Sequence, residues 1–329
     1  MPPRPVDFDI PSVQALLLSK EQGRKYLLSS ILGSGMYGVV YTAVNVKGEK
    51  VAIKMSANLH PEEGITISSL REIATMGSIL PHPNVLELLD FVVCPQACFM
   101  VTKLCQTDLE KHVRKLQDSG ACTMPSDDLH SFTHQLLSAI SVMHEYGVMH
   151  RDLKPSNILL NSGGKTLKVA DFGMSRVFGT VIPRDFTAGV TTYTYRAPEV
   201  FLGSIRSDDG LLQGTMYNHA VDMWAAGLVI IYMINLETVL NVPESVCLMK
   251  IFEVLGKPTE ENWPGVTSYP NYVFDFTKPD SAYTPGTAER FILNPVDSRL
   301  KDLICRMVVL NPDKRIYACQ AEPLARRLV

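Results

Sequence analysis

His150-Arg151-Asp152-Leu153-Lys154-Pro155-Ser156-Asn157, with Asp171-Phe172-Gly173 after it, demands a fold that brings an acid, a lysine and two hard oxygen ligands to one point. Phosphoryl transfer has that requirement. A phosphoryl group in flight carries charge on its outer oxygens, so the reaction needs metal, fixed cations and an aligned hydroxyl more than covalent chemistry. Asp152 is placed as the proton acceptor, Lys154 as the phosphate-directed cation, and Asn157 and Asp171 as magnesium ligands. An isolated Asp-Phe-Gly triplet carries little information; the two segments in this order and spacing carry much more.

The bulk properties remove several alternatives. A chain of 329 residues can bury a large core and fits one two-lobed unit or two ordinary domains. A formal charge of -3 does not suit an extended polyanion-binding surface, so nucleic acid is not the expected partner. The seven cysteines, an odd number without framework spacing, suit a reducing compartment; Cys94 and Cys98 have no second pair at zinc-ligand spacing. The most apolar stretch, Met223 to Ile234, falls short of the roughly 20 residues that cross a bilayer and reads as a buried helix, so no membrane partner is expected. The first residues lack a cationic segment followed by an apolar one, which leaves cytoplasm or nucleus as the expected location.

Along the chain, residues 1 to 25 read as a Pro-punctuated extension in which Val13 to Leu18 forms a short helix or frays as a tail. From Tyr26 the β-branched residues thicken into antiparallel strands, with Gly48 in a turn between two of them. Ile67, Leu70, Ile73, Met76 and Ile79 recur at spacings of three, predicting a helix with these as its apolar face. Strand signal returns in residues 85–93 and 98–102, and beyond residue 107 the pattern is helical, with residues 129–147 the clearest amphipathic run and Gly147 its terminator.

Gly33-x-Gly35-x-x-Gly38-x-Val40 lies between two predicted strands, where glycines let backbone amides approach phosphates with no Cβ in the way. The same pattern opening a helix would instead point to a dinucleotide. Ala52-Ile53-Lys54 adds a cation on the following strand, and Glu72, within the predicted helix, is its candidate partner. Taken together these motifs resemble those of the eukaryotic protein kinases, with Lys154 after Asp152 indicating the serine/threonine branch. The resemblance runs from about residue 26 to the end of the sequence. It implies an α+β bilobal protein kinase fold, with a small antiparallel β lobe carrying one main helix (26–102), a hinge (103–106) and a larger, mainly α lobe (107–329). It implies ATP and Mg2+ as cofactors, and a catalytic set of Asp152, Lys154, Lys54 and Glu72. Gly33, Gly35, Gly38, Val40, Ala52, Lys54, Lys103, Cys105 and Leu159 would bind the nucleotide, with Thr102 as the residue guarding the back of the adenine site. A scaffold that keeps the fold without turnover is the alternative of another class, and such proteins usually lose one of these positions, whereas here all are kept.

Within the kinases, Tyr195-Arg196-Ala197-Pro198-Glu199 and the segment from Phe252 to Gly265 resemble the group containing cyclin-dependent and MAP kinases. Thr66-Ile67-Ser68-Ser69-Leu70-Arg71-Glu72, preceded by Glu63-Gly64, lies where cyclin-dependent kinases carry the PSTAIRE-type helix and keeps only its final Arg-Glu. No Thr-x-Tyr pair of the MAP type is present at Thr187-Ala188-Gly189, so the cyclin-dependent reading leads, with a cyclin as possible partner and a partner-independent kinase as alternative. Arg71, Arg151 and Arg176 match the receptor for a phosphate on Thr187, which needs cations around it, and Tyr37 matches the inhibitory tyrosine of cell-cycle kinases. By the same resemblance Arg196 favours proline after the target Ser or Thr, although Thr194 stands where a tryptophan is usual. Glu199 would pair with Arg315, and Asp222 would tie the catalytic loop to the buried helix. The stretch 203–218 is longer than the family pattern, and its Gly, Asp and Ser content predicts an exposed loop.

Overall fold

The computed structural model describes residues 9–18, 20–35, 38–57, 65–94, 96–161, 163–177, 193–203, 205–206, 212–213, 218–272 and 283–329. The β-branched and aromatic stretches of the first third form one antiparallel sheet of five strands. These are β1 (Tyr26–Gly35), β2 (Gly38–Asn45), β3 (Lys50–Ala57), β4 (Leu88–Cys94) and β5 (Ala97–Lys103), in the order β1-β2-β3-β5-β4. Gly48 makes the β2–β3 turn at a φ of 78°, a conformation that favours glycine.

Register decides which residues share a face of this sheet. Lys54 lies opposite Val40 on β2 and Met100 on β5, while Ala52 lies opposite Thr42 and Thr102. Directly opposed residues point the same way and neighbours along a strand point apart, so Val40, Ala52, Lys54 and Thr102 line one side. Tyr41, Val51, Ile53, Met55, Phe99 and Val101 line the other, where they form a core with Val13 and Leu17 of helix α1 (Ile10–Leu18). The extension is therefore docked, and the frayed-tail alternative does not hold for residues 10–18. Gln14 fastens it further: its Nε2 donates to Tyr26 O at 3.1 Å and its Oε1 accepts from Leu28 N at 2.6 Å.

Helix α2 (Ile67–Ser78) starts at Thr66, whose hydroxyl accepts from Ser69 N. It departs from the apolar-face expectation. Met76 and Ile79 are buried as expected, but Ile67 is 75% and Leu70 54% exposed, while Ser69, Glu72 and Thr75 are buried. The helix is rotated so that a polar stripe faces inward, because Lys54 and the segment after Asp171 offer that stripe partners.

The larger lobe is mainly α, built from α3 (Leu109–Asp118), α4 (Ser126–Glu145), α5 (Pro198–Leu202), α6 (Ala220–Asn235), α7 (Glu244–Leu255), α8 (Ser298–Met307) and α9 (Ala318–Arg326). Gly147, at a φ of 69°, terminates α4 as its position in the sequence predicts. Every residue of α6 is buried, and among the described residues no helix is long and apolar enough to cross a membrane. Short strands β6 (Thr107–Asp108), β8 (Ile158–Leu160) and β9 (Leu167–Val169) form a three-stranded sheet, and β7 (Val148–Met149) pairs with β10 (Arg176–Val177). Within the 203–218 stretch, β11 (Ile205–Arg206) pairs with β12 (Leu212–Gln213). Glu199 on α5 and Arg315 form a two-pronged ion pair at 2.5 and 2.6 Å, both side chains buried. The result is the expected bilobal α+β arrangement, a small antiparallel β lobe and a larger, mainly α lobe, with the smaller lobe's Lys54 face turned toward α2 and Asp171.

Candidate active site

Lys54 Nζ donates to Glu72 Oε1 at 2.9 Å and Oε2 at 2.8 Å, and to Asp171 Oδ1 at 3.3 Å. One ammonium thus joins β3, α2 and the segment that opens at Asp171. Burial works against charge on Lys54, but Glu72 and Asp171 outweigh it and hold the ammonium above its ordinary range. Burial also opposes charge on Asp171, yet Lys54, His150 and Lys154 bring its carboxyl below the usual range. Glu72 is pushed up by burial, with Lys54 pulling against that push and Asp171 adding to it. Asp171 is therefore the firmer anion of the two, which is the order a cation-binding carboxylate needs.

Asp152 sits on the loop between β7 and β8. Its Oδ2 accepts from Lys154 Nζ at 2.8 Å and from Asn157 Nδ2 at 2.9 Å, and Asn157 Nδ2 also donates to the Asp152 carbonyl at 2.8 Å. Because the amide nitrogen is turned to Asp152, Oδ1 of Asn157 is the side-chain atom left for a cation. With the Asp171 carboxylate it supplies the hard oxygen donors that magnesium takes, so these residues fit that ion.

The loop is held from beneath. Asp222 at the start of α6 accepts from His150 N and Arg151 N, each at 2.8 Å, and from His144 Nε2 at 2.9 Å. Burial pushes the Asp222 carboxyl up, but these donors and the neighbouring imidazoles bring it below the ordinary range. Arg151 and Asp171 both have positive φ, 71° and 66°. Such backbone costs about 1–3 kcal/mol per residue outside glycine and persists only where contacts over-determine it; Asp222 does so at one end and Lys54 at the other. Phe172, fully buried, meets the His150 ring edge-on at 5.1 Å, and His150 Nε2 is 2.9 Å from Ala170 O.

On the nucleotide side, Gly33 pairs with Val40 and Gly35 with Gly38. A Cβ on Gly38 would come within 2.0 Å of Met55 O, so that glycine is required by the sheet itself. Among the described residues a Cβ on Gly33 or Gly35 would meet nothing within 4 Å, so packing does not explain those two, and the space beside them stays open. Val40, Ala52, Thr102 and Leu159 are each half-buried. Lys103 ends β5 and turns its side chain away to Glu87 at 2.7 Å, Cys105 is buried, and Gln106 N donates to Leu160 O at 2.9 Å.

Arg71, Arg151 and Arg176 gather on consecutive carbonyls: Arg71 Nη1 donates to Gly173 O, Arg151 Nη1 to Met174 O and Arg176 Nη1 to Ser175 O, at 3.0, 3.2 and 3.3 Å. Burial first, then the like charge of Arg176, lowers the Arg71 guanidinium from its usual range. Thr187, Tyr37, Glu63 and Gly64 lie outside the described residues. Arg196 Nη1 donates to Glu244 Oε1 of α7 at 2.7 Å, and its guanidinium lies over the Phe201 ring at 5.1 Å. The sequence pattern did not single out Ser68, Thr75 and Ser175, which join α2 to the segment after Asp171; the signal was the two hydroxyls Ser68 and Thr75 on one stripe of the helix. The family model described as the protein kinase domain matches residues 26–323, a span holding every group of this site, and by that match the chain belongs to the protein kinase domain family.

Proposed function

We propose that this kinase transfers the γ-phosphate of Mg-ATP to serine or threonine followed by proline, in the manner of the cyclin-dependent kinases. The observation that carries the reading is the closed Lys54–Glu72 pair with Asp171 on the same ammonium. Lys54 would hold the α- and β-phosphates, while Asp171 and Asn157 would hold the metal, which supplies charge neutralisation on the phosphates when bound. Asp152 would align the target hydroxyl through Oδ1, the oxygen that takes neither the Lys154 nor the Asn157 contact. Lys154, beside it, would meet the charge developing on the γ-phosphate. This lysine supports the serine/threonine assignment, and Arg196, held between Glu244 and Phe201, supports proline direction.

A cyclin-type partner is favoured by what α2 leaves outside. Ile67 and Leu70 are exposed, and so are Phe91 and Val93 of the neighbouring β4. By register Phe91 and Val93 point to the α2 side of the sheet, opposite Met100 and Cys98. An apolar patch of this kind beside the helix carrying Glu72 is where a partner gains control of that helix. Thr187 is the proposed activating phosphosite, with Arg71, Arg151 and Arg176 as its receptor, and Tyr37 a proposed inhibitory one.

The test is transfer of labelled phosphate from Mg-ATP to a set of Ser/Thr-Pro and Ser/Thr-Ala peptides, by the chain alone and with a panel of cyclins. Asp171→Asn serves as blank. Activity on proline-containing peptides that rises with one cyclin is the expected result. Equal activity without a cyclin supports a partner-independent kinase, and none under any condition supports the scaffold.

A further inference from the structure

The inward face of α2 carries Ser68, Arg71, Glu72 and Thr75, positions three, four and seven apart that fall on one stripe of a helix. Each meets a partner. Ser68 Oγ and Arg71 Nη1 donate to Gly173 O at 3.5 and 3.0 Å, Glu72 takes Lys54, and Thr75 Oγ1 lies 3.0 Å from Ser175 Oγ. Thr75 is 4% exposed and Ser175 fully buried. Ser175 Oγ also lies 2.6 Å from Phe172 O, and the two hydroxyls carry a proton each, enough for both contacts. This makes a continuous link from the backbone of Phe172, next to Asp171, through Ser175 to the turn of α2 that follows Glu72.

We propose that Thr75 and Ser175 are positioning residues whose paired hydroxyls hold α2 inward, so that Glu72 stays on Lys54. The proposal rests on the kinase reading, since it assigns a role within that reaction. Apolar burial holds the C-terminal end of α2 through Met76 and Ile79, but the turns before it expose Ile67 and Leu70 and bury polar groups, so hydrogen bonds and the Lys54–Glu72 pair hold that part inward. A hydroxyl left unpaired in a dry site is costly. Swinging α2 outward separates Thr75 from Ser175 and frees Glu72 from Lys54 together, so the hydroxyl pair and the catalytic ion pair open as one unit.

The test uses the full chain and amide hydrogen exchange, with Ser175→Ala, Thr75→Val and the conservative Thr75→Ser. One net hydrogen bond predicts that protection of the α2 amides falls roughly 3- to 10-fold in the first two variants while α6 is unchanged. Thr75→Ser keeps the hydroxyl and restores protection. In peptide phosphorylation the first two lower kcat and leave the KM for peptide unchanged, a split that mere loosening of the substrate site would not give. Unchanged α2 protection in both variants, or an equal loss in α6, overturns the proposal. Loss confined to α2 in a chain that transfers no phosphate leaves the hydroxyl latch standing and overturns the kinase reading instead.

Discussion

Glu199→Gln keeps the volume of the side chain and removes its charge from a place where water cannot replace it. The Glu199 and Arg315 side chains are 1% and 0% exposed. Arg315 gives two hydrogen bonds to the carboxylate and three to the carbonyls of Val309, Ala220 and Leu310, and its guanidinium lies over Trp224 at 5.0 Å. After the substitution the carbonyls remain but the guanidinium charge is uncompensated, and breaking one side of such a buried pair costs about 3–5 kcal/mol. Unfolding entropy near 2.1 cal/mol/K per residue gives about 0.7 kcal/mol/K over this chain, so Tm should fall by about 4–7 °C. The exposed pair Asp302–Arg306, 2.8 Å apart with side chains 57% and 55% exposed, is the internal control. Asp302→Asn should shift Tm by no more than about 1 °C, because a solvated pair contributes little. Differential scanning calorimetry on both variants decides it. A Glu199→Gln shift as small as that of Asp302→Asn would refute the reasoning that burial, not pairing as such, makes the ion pair matter.

Asp171→Asn should abolish metal-dependent phosphate transfer while leaving the fold intact by circular dichroism; substantial residual turnover counts against Asp171 as metal ligand. Gly38→Ala should lower Tm, since its Cβ would press on Met55 O at a φ of 128°, whereas Gly33→Ala should leave Tm in place and raise the KM for ATP. His219, against His144 and stacked on Tyr317, has its imidazole lowered from the ordinary 6.5 by burial and then by His144. Folding therefore favours the neutral ring, and that stability is complete above pH 6.5 and lost as pH falls through the lowered value. Tm of the wild type should drop more steeply between about pH 7.5 and about pH 5.5 than that of His219→Asn; parallel profiles would remove His219 from the account. On the proposal of a cyclin-type partner, Ile67→Glu with Leu70→Glu should abolish its stimulation and leave basal transfer unchanged, as read in the peptide assay; stimulation that survives would count against contact at Ile67 and Leu70.

The contacts of Lys54 with Glu72 and Asp171, and of Asp152 with Lys154 and Asn157, were legible because the proposed chemistry restricts the residue types: a phosphate-directed cation and hard oxygen donors leave few choices. The strands and the buried α6 were legible because continuous apolar and β-branched runs have few other uses. Helix α2 was legible as a helix but not in its rotation. Its apolar residues at spacings of three pointed to an inward apolar face, yet Ile67 and Leu70 face outward. Which stripe turns in depends on partners far away in the chain, Lys54 and residues 173–175, and local periodicity does not see them. Gln14 was illegible for the same reason, since a single amide in a helix gives no sign that it will meet β1.

That amide has a consequence for solubility. β1 is an edge strand of the five-stranded sheet, and an edge strand presents unpaired N–H and C=O groups on which another chain can add a strand. Gln14 offers Tyr26 O a donor and Leu28 N an acceptor, the two groups an incoming strand would bring. One side chain thus occupies the place of a missing neighbour, and exposed Leu27 lies between the two positions it closes. With α1 docked, that end of the β1 edge therefore lacks the two open groups an added strand would need, and a chain without Gln14 would expose them.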